Sequence, residues 1–459
     1  MIMNNNIFKG LTLAVVALTT LVTTSCKDEP DAYEIQDGRP TINFVRPVNA
    51  AQKDSIITAA SMRSTICIVG ENLRSVTALL FNDQEAVLNT SYMTDHTLIV
   101  TIPNEIPNLV TDKIYFVNNA NDTTTYDFHV IIPAPTVASM SNEWAEAGEE
   151  VTIIGDYFLD YADFPLTVNF GTQQVPRSAI KSITKNRITF TLPENMPQEK
   201  VSVTSIYGKT EGAFKYRDTR GMLFDFDTPN VKTGEVLGNN GWHARTIQAD
   251  DTSLSGNYLV MGGGAAMGVD GGWNDGDFSF EYWPGDWQDP ENYPTHPRMQ
   301  DIADFTDIEN LNLKFEMNIP KDFAWSAAPM QIYFGSVTMV SNGNAGTKDI
   351  YGNELGGANN SFFREQGKLS RALYMPWKDT EDLLYHTDGQ WQTVTIPLTD
   401  FIYDWDGNKM TSTLLSPSDF GAFNIFIVRG GYNDKSVLPE GVPCTPFIKI
   451  DNIRVVPNK

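Results

Sequence analysis

The residues able to do chemistry crowd into Gly271–Trp287, read GGWNDGDFSFEYWPGDW, where Trp273, Tyr282, Trp283 and Trp287 stand among Asp275, Asp277, Glu281 and Asp286. Two kinds of chemistry fit that mixture. Aromatic rings beside carboxylates and amides suit a carbohydrate, because rings cover the apolar faces of sugars and polar groups bond the hydroxyls. A pair of carboxylates about 5–9.5 Å apart would instead serve glycoside hydrolysis. Asp275, Asp277, Glu281, Asp286 and Asp289 are numerous enough to supply such a pair, but no hydrolase signature accompanies them. His243, His296 and His386 are scattered and form no Ser/His/Asp arrangement, and His96 and His129 lie in separate segments that suggest no metal centre.

Local pattern ranks the rings. Asp277–Trp283 alternates, with Phe278, Phe280 and Tyr282 on one face and Ser279, Glu281 and Trp283 on the other. If the Phe residues face a core, Trp283 faces out, and Pro284-Gly285 turns the chain so that Trp287 stands near it. Trp242 sits in the Gly/Asn turn Gly238–His243, Trp273 follows Gly271-Gly272, and Trp325 lies between Phe323 and Pro329. A sugar covers one ring face, about a third of the 150–250 Å² of an aromatic residue, which is worth roughly 1–2 kcal/mol per ring. Three or four such rings, set against the cost of association, predict micromolar to millimolar affinity. Avidity adds to this when a long ligand bridges anchored copies.

A chain of 459 residues is too long for one core. Its net charge of −24 repels phosphate backbones and anionic membrane surfaces, so nucleic acid is excluded as a partner and neutral ligands are favoured. Only one of its nine tryptophans, Trp144, precedes position 240, so the C-terminal half differs chemically from what comes before. Of the three cysteines, Cys67 and Cys444 are too far apart in the chain to suggest a bridge and read as buried, inert thiols.

Residues 1–25 have a short polar start with Lys9, then an apolar run from Leu11 to Val22 that is too short to span a bilayer and fits a secretory signal. Residues 26–39 follow as a polar tether. Two similar blocks come next, 40–132 and 133–217. Pro40-Thr41-Ile42, Thr65–Gly70 and Thr97–Pro103 of the first recur as Pro135-Thr136-Val137, Val151–Gly155 and Arg187–Pro193, at offsets of 85 to 95 residues. Short alternating strands with Gly/Asn/Pro turns at that period predict two small antiparallel sandwiches of the immunoglobulin kind. Trp144 precedes Gly148 in a loop and reads as an inter-domain contact or an isolated ring. Both blocks read as spacers, so removing 40–217 is expected to leave ligand binding intact.

Residues 218–459 show nine alternating segments and no convincing amphipathic helix, which predicts a larger two-sheet jelly roll. The fold class is therefore all-β: two Ig-like sandwiches in tandem, then a jelly-roll β-sandwich.

Several of these phrases resemble known families. Cys26 directly after the apolar run, followed by Lys27-Asp28-Glu29, resembles a bacterial lipoprotein signal with an acidic surface-export motif, which implies lipidation of Cys26. The Ile-Gly and strand-Pro pattern of the two blocks resembles IPT/TIG domains. Gly389–Phe401 and Phe447–Val456 resemble the closing strands of jelly-roll carbohydrate-binding modules. There, Trp391 usually packs. Asp451 reads as a plain surface acid or, as the alternative, as holding a structural Ca²⁺ with Asp225 or Asp227; no other cofactor is implied. The whole architecture, with Leu223–Asp227, Asn240–His243 and FSFEYW, resembles the surface glycan-binding lipoproteins of Bacteroidetes polysaccharide-utilisation loci, with a xyloglucan-binding-type C-terminal domain. That resemblance implies a non-catalytic protein, lipid-anchored to the outer membrane and facing outward. It would bind a β-linked plant polysaccharide, xyloglucan or a related β-glucan. Its implied partners are a TonB-dependent transporter, a companion binding protein and a surface glycoside hydrolase. A glycoside hydrolase on the same glycans and a surface adhesin are the alternatives. The family places an adjacent Tyr-Trp pair at the ligand, here Tyr282-Trp283, which conflicts with the alternation that turns Tyr282 inward unless a bulge intervenes. Trp242, Trp273, Trp287 and Trp325 complete the candidate set on local grounds, whereas Trp377 and Trp405 lack family support.

Overall fold

The computed structural model describes residues 33–229, 236–238, 245–271, 277–284, 297–335, 369–404, 408–413, 415–430 and 438–459. Among these there is no α-helix, only short 3-10 turns, and no helix long and apolar enough to cross a membrane. The chain divides into two compact units, 1–133 and 134–459.

In the first unit, Thr41–Pro47, Thr65–Glu71 and Thr97–Thr101 form one antiparallel sheet. Gln84–Glu85, Val76–Phe81, Lys113–Asn118 and Thr123–Asp127 form the other. Inward residues such as Ile66, Ile68, Leu79, Val100 and Phe116 close the space between them. A small parallel pair, Ala59–Ser61 with His129–Ile131, is added. Gly70 is required by a close approach, because a Cβ there would stand 2.0 Å from the Thr41 carbonyl oxygen. The second repeat solves the same problem with Gly155, where the Thr136 carbonyl lies at 1.9 Å. In both, the first strand bulges opposite that glycine.

The second unit begins with the other Ig-like sandwich. Its sheets run Thr136–Met140, Glu150–Asp156, Arg187–Thr191, Ile180–Ile183 and Gln173–Gln174, Thr167–Phe170, Lys200–Ser205, Gly208–Lys215. The rest is a larger sandwich of a six-stranded and a four-stranded sheet. The six-stranded sheet runs Ile247–Gln248, Tyr258–Met261, Ile448–Pro457, Leu311–Asn318, Gln392–Pro397, with Met222–Phe224 also paired to Ile448–Pro457. The four-stranded sheet runs Ser279–Tyr282, Ala422–Ile427, Met330–Gly335, Arg371–Tyr374. Phe224, Phe280, Phe315, Ile332, Phe423 and Ile450 fill the space between the sheets. The expected all-β architecture is present.

The second Ig-like domain is not a free spacer. Its Glu143 is buried against the outer face of the six-stranded sheet, 2.5 Å from Lys314 Nζ and 3.0 Å from Arg454 Nη2. Arg454 also binds Glu316 in a two-pronged pair at 2.7 and 3.0 Å. Thr393 Oγ1 accepts from the Glu143 amide at 2.7 Å and donates to Glu316 at 3.0 Å. Two carboxylates thus meet two cations, with every member at most 6% exposed. Trp144 completes the joint: its ring packs with Tyr258 and Trp391 and lies 5.8 Å from the Arg454 guanidinium. Of the two readings of Trp144, the inter-domain contact is the one realised. The second block, expected as a spacer, thus shares a packed joint with the larger sandwich.

Candidate functional site

Parity decides which rings can meet a ligand. Across the ladder, Phe280 stands opposite Ile425 and Tyr282 opposite Phe423, all turned into the core. Ser279 and Glu281, opposite Phe426 and Asn424, take the outer face. Gln331 and Tyr333 extend that outer face next door, and Arg371 continues it opposite Tyr333. It is therefore a mixed face, all of it buried: Trp283, Tyr333, Phe426, Ala422 and Val428 cluster, interleaved with Glu281, Gln331, Asn424 and Arg371. The Tyr333 and Phe426 rings are nearly parallel at 6.0 Å. The Arg371 guanidinium sits 4.6 Å from the Tyr333 centroid and donates to Gln331 Oε1 at 2.9 Å. Trp283 Nε1 donates to Asn424 Oδ1 at 3.1 Å. Arg245 donates to Ser279 Oγ and lies 3.9 Å from Glu281. Among the described residues, Asn424 Nδ2, fully buried, has no hydrogen-bond partner. Tyr333 and Phe426 escaped sequence reasoning, because their strands read only as buried apolar runs.

The sequence candidates divide accordingly. Trp283 belongs to the outer-face cluster as expected, but it is 4% exposed, so the ring does not offer the open stacking face foreseen for it. Tyr282 is corrected: it is fully buried, 5.1 Å from the Phe224 ring, with its hydroxyl donating to the Pro297 carbonyl at 2.8 Å. No bulge intervenes, so the simple alternation holds. Trp325 is likewise corrected. It is fully buried, paired through its backbone with Tyr385 and packed 6.0 Å from the Tyr374 ring. Trp377 is also fully buried. Trp391 packs, with Nε1 donating to the Thr252 carbonyl at 2.8 Å. Trp242, Trp273, Trp287, Trp405 and Cys26 lie outside the described residues. Of the thiols, Cys67 is buried, but Cys444 is only half-buried.

The acids raised as metal ligands are occupied by protein donors. Asp225 accepts from the Asp227 and Thr228 amides at 3.1 and 2.9 Å. Asp227 accepts from Asn257 N and Nδ2 at 2.7 and 2.8 Å. Asp451 is fully buried rather than a surface acid, accepting from Asn452 N at 2.7 Å and Ser255 Oγ at 3.1 Å. Burial, reinforced by Glu316 and Asp227, pushes its carboxyl up to about 8. Because that folded-state value lies above the ordinary 3.8, the stability it permits is complete below about pH 4 and is lost as pH rises to about 8. Asp451→Asn should therefore melt close to wild type at pH 4 and clearly above it at pH 8. A bound Ca²⁺ would invert this: the variant would melt lower at pH 8, and chelation would lower the wild-type melting temperature. Glu71, Asp95 and His96 also come together, but His96 and Glu71 form an open ion pair at 2.8 Å.

Comparison with known proteins fits this arrangement. Residues 216–457 match the family model described as the xyloglucan-binding domain of surface glycan-binding protein B. Residues 135–218 match the IPT/TIG domain. The chain is similar to a surface glycan-binding protein from Prevotella bryantii, known from a crystal structure. The two are 59% identical with a TM-score of 0.78, over 92% of this chain and all of that one. It is also 28% identical over 210 residues to an IPT/TIG domain-containing protein of Bacteroides ovatus, an alignment spanning 42% of each. With one family model covering more than half its length and a near-full-length relative at this identity, the chain belongs to the surface glycan-binding protein B family.

Proposed function

We propose that the chain is a non-catalytic cell-surface lipoprotein that captures a β-linked plant polysaccharide, xyloglucan or a related β-glucan. The observation that carries this is the outer face of the four-stranded sheet. There Trp283, Tyr333 and Phe426 alternate with Asn424, Gln331, Glu281 and Arg371, and one buried amide donor has no partner among the described residues. This face is the floor of the site. Trp273 and Trp287 stay in the set on their sequence surroundings, before and after strand Ser279–Tyr282. Trp242 stays in the set on its Gly/Asn turn. The family match and the relative's name as a surface glycan-binding protein support the ligand class.

Cys26 after the apolar run supports a lipid anchor in the outer membrane, facing outward. An anchored binder of long glycans needs a transporter and its companion binding protein to take up what it holds, and a surface hydrolase to shorten it. No cofactor enters this reading, and the nearby acids serve as hydroxyl acceptors. Native affinity electrophoresis against xyloglucan, mixed-linkage β-glucan and β-mannan, with reducing ends assayed alongside, tests the reading. Retardation by a β-glucan without new reducing ends is expected. Release of sugar would establish the hydrolase alternative, and no retardation on any glycan would favour the adhesin.

A further inference from the structure

The two Ig-like repeats are superimposable in pattern except along one edge. In the second, strand Arg187–Thr191 is covered on its outer side by Ile180–Ile183, with Ser182 opposite Thr189 and Ile183 opposite Ile188. Ninety residues earlier the counterpart strand Thr97–Thr101 is paired only on its inner side, to Thr65–Glu71. The two edges start alike. The Thr184 amide donates to the Arg187 carbonyl at 2.8 Å, and the Thr94 amide donates to the Thr97 carbonyl at 2.8 Å. They then diverge. Thr90–Tyr92, at the position of the covering strand, winds into a 3-10 turn because Asn89 Oδ1 accepts the Ser91 amide at 3.0 Å. Only Met93 keeps its bridge, to Leu98.

Register shows which groups this leaves open. The Ile102 amide donates to the Ser64 carbonyl, and the Gly70 amide donates to the His96 carbonyl. Alternation along the ladder therefore turns Leu98 and Val100 inward and Ile99 and Thr101 outward. The Met93–Leu98 bridge engages the Ile99 amide with Tyr92, so among the described residues it is the Ile99 carbonyl and the Thr101 amide and carbonyl that have no partner on that side. Beside them runs a groove of about 660 Å³, flanked by Val87, 90% exposed, and Tyr92, 58% exposed. Among the described residues, Glu85 and Glu105 line it without an ion-pair partner, while Arg63 is engaged by Asn104.

We propose that the free edge of strand Thr97–Thr101 docks an extended segment of a separate polypeptide, one that alternates apolar side chains and carries a lysine. The second repeat shows the form of the occupant. Its own covering strand reads Ile-Lys-Ser-Ile, and Lys181 there pairs with Glu150 at 2.6 Å. Addition of such a strand satisfies the open Thr101 amide and the open carbonyls, gives Val87 and Tyr92 an apolar neighbour, and sets the lysine near two uncompensated carboxylates. A protein anchored beside other surface proteins has a use for such an edge.

The test is hydrogen exchange of the whole chain with a capped peptide of the sequence Ser178–Thr184. The result expected is slowed exchange at the Thr101 amide. Thr101→Pro, which removes an outward donor along with the Thr101–Thr65 hydroxyl bond, should weaken the peptide at least about tenfold, roughly 1.4 kcal/mol. Val87→Lys, on an open surface where folding is not at stake, should weaken it in the same direction. A Lys→Glu peptide should bind worse, most clearly at low salt. Unchanged exchange at the Thr101 amide, or equal binding by both variants, overturns the proposal. So does a concentration-dependent dimer that Thr101→Pro dissolves, since the occupant would then be a second copy of this chain.

Discussion

Trp283→Ala is expected to abolish retardation in a β-glucan gel, whereas Tyr282→Phe, one residue away, leaves it unchanged. The contrast follows from strand parity. Trp283 belongs to the outer-face cluster with Tyr333 and Phe426 and fixes the Asn424 amide through its Nε1. Truncation removes the ring that packs against Tyr333 and Phe426 and frees Asn424 to turn, so at least a tenfold loss of affinity is expected. Tyr282 points into the core, and its loss of one hydroxyl bond to Pro297 costs about 1 kcal/mol of stability without touching the face. Because Trp283 is also packed, melting curves must accompany the gel, and Trp283→Phe, which keeps most of the volume, should bind at an intermediate level. A folded Trp283→Ala protein that migrates like wild type would sink the assignment. Loss of binding in Tyr282→Phe would sink the parity argument.

The second large effect concerns the joint between the two domains of the second unit. Removing 40–133 should leave the glycan-binding domain's melting and binding unchanged, whereas removing 40–217 should lower its melting temperature. The shorter deletion follows the boundary between compact units; the longer one uncovers Lys314, Arg454 and the apolar patch of Tyr258 and Trp391. In the full chain, where those cations stay buried, losing Glu143 alone costs about 3–5 kcal/mol. Glu143→Ala alone should show most of that loss in thermal melting of the full chain. Pairing Glu143→Met with Lys314→Met, which leaves Arg454 and Glu316 to each other, should recover much of it. Equal melting of Glu143→Ala and wild type would show that the pair contributes nothing net.

Much of the fold was legible because period-2 alternation is a local signal. Segments such as Tyr258–Met261 were found at their observed bounds, and the repeat followed from recurring Gly and Pro positions. The same signal placed Tyr282 and Trp283 on opposite faces, and following the family's Tyr-Trp pair over it produced the error at Tyr282. Trp325 misled for a different reason. A tryptophan between short irregular segments carries no periodicity, and its burial depends on Tyr374 and Tyr385, strands away. Glu143 was invisible because its partner Arg454 lies 311 residues further on. The open edge at Thr97–Thr101 hung on one local detail, the Asn89 side chain that turns a would-be strand into a 3-10 turn.

The central place of strand Ile448–Pro457 sets an order in time. It pairs with Met222–Phe224, Tyr258–Met261 and Leu311–Asn318, and it brings Arg454 to Glu143 and Glu316. During synthesis at about 5–20 residues per second, the second Ig-like domain emerges first and carries Glu143 unpaired. The six-stranded sheet then waits through more than two hundred further residues with an open seam in its middle. A chaperone therefore meets a nascent chain whose C-terminal half closes in one late step. Proteolysis of ribosome-bound chains should cut in 218–447 far more readily before that strand arrives than after.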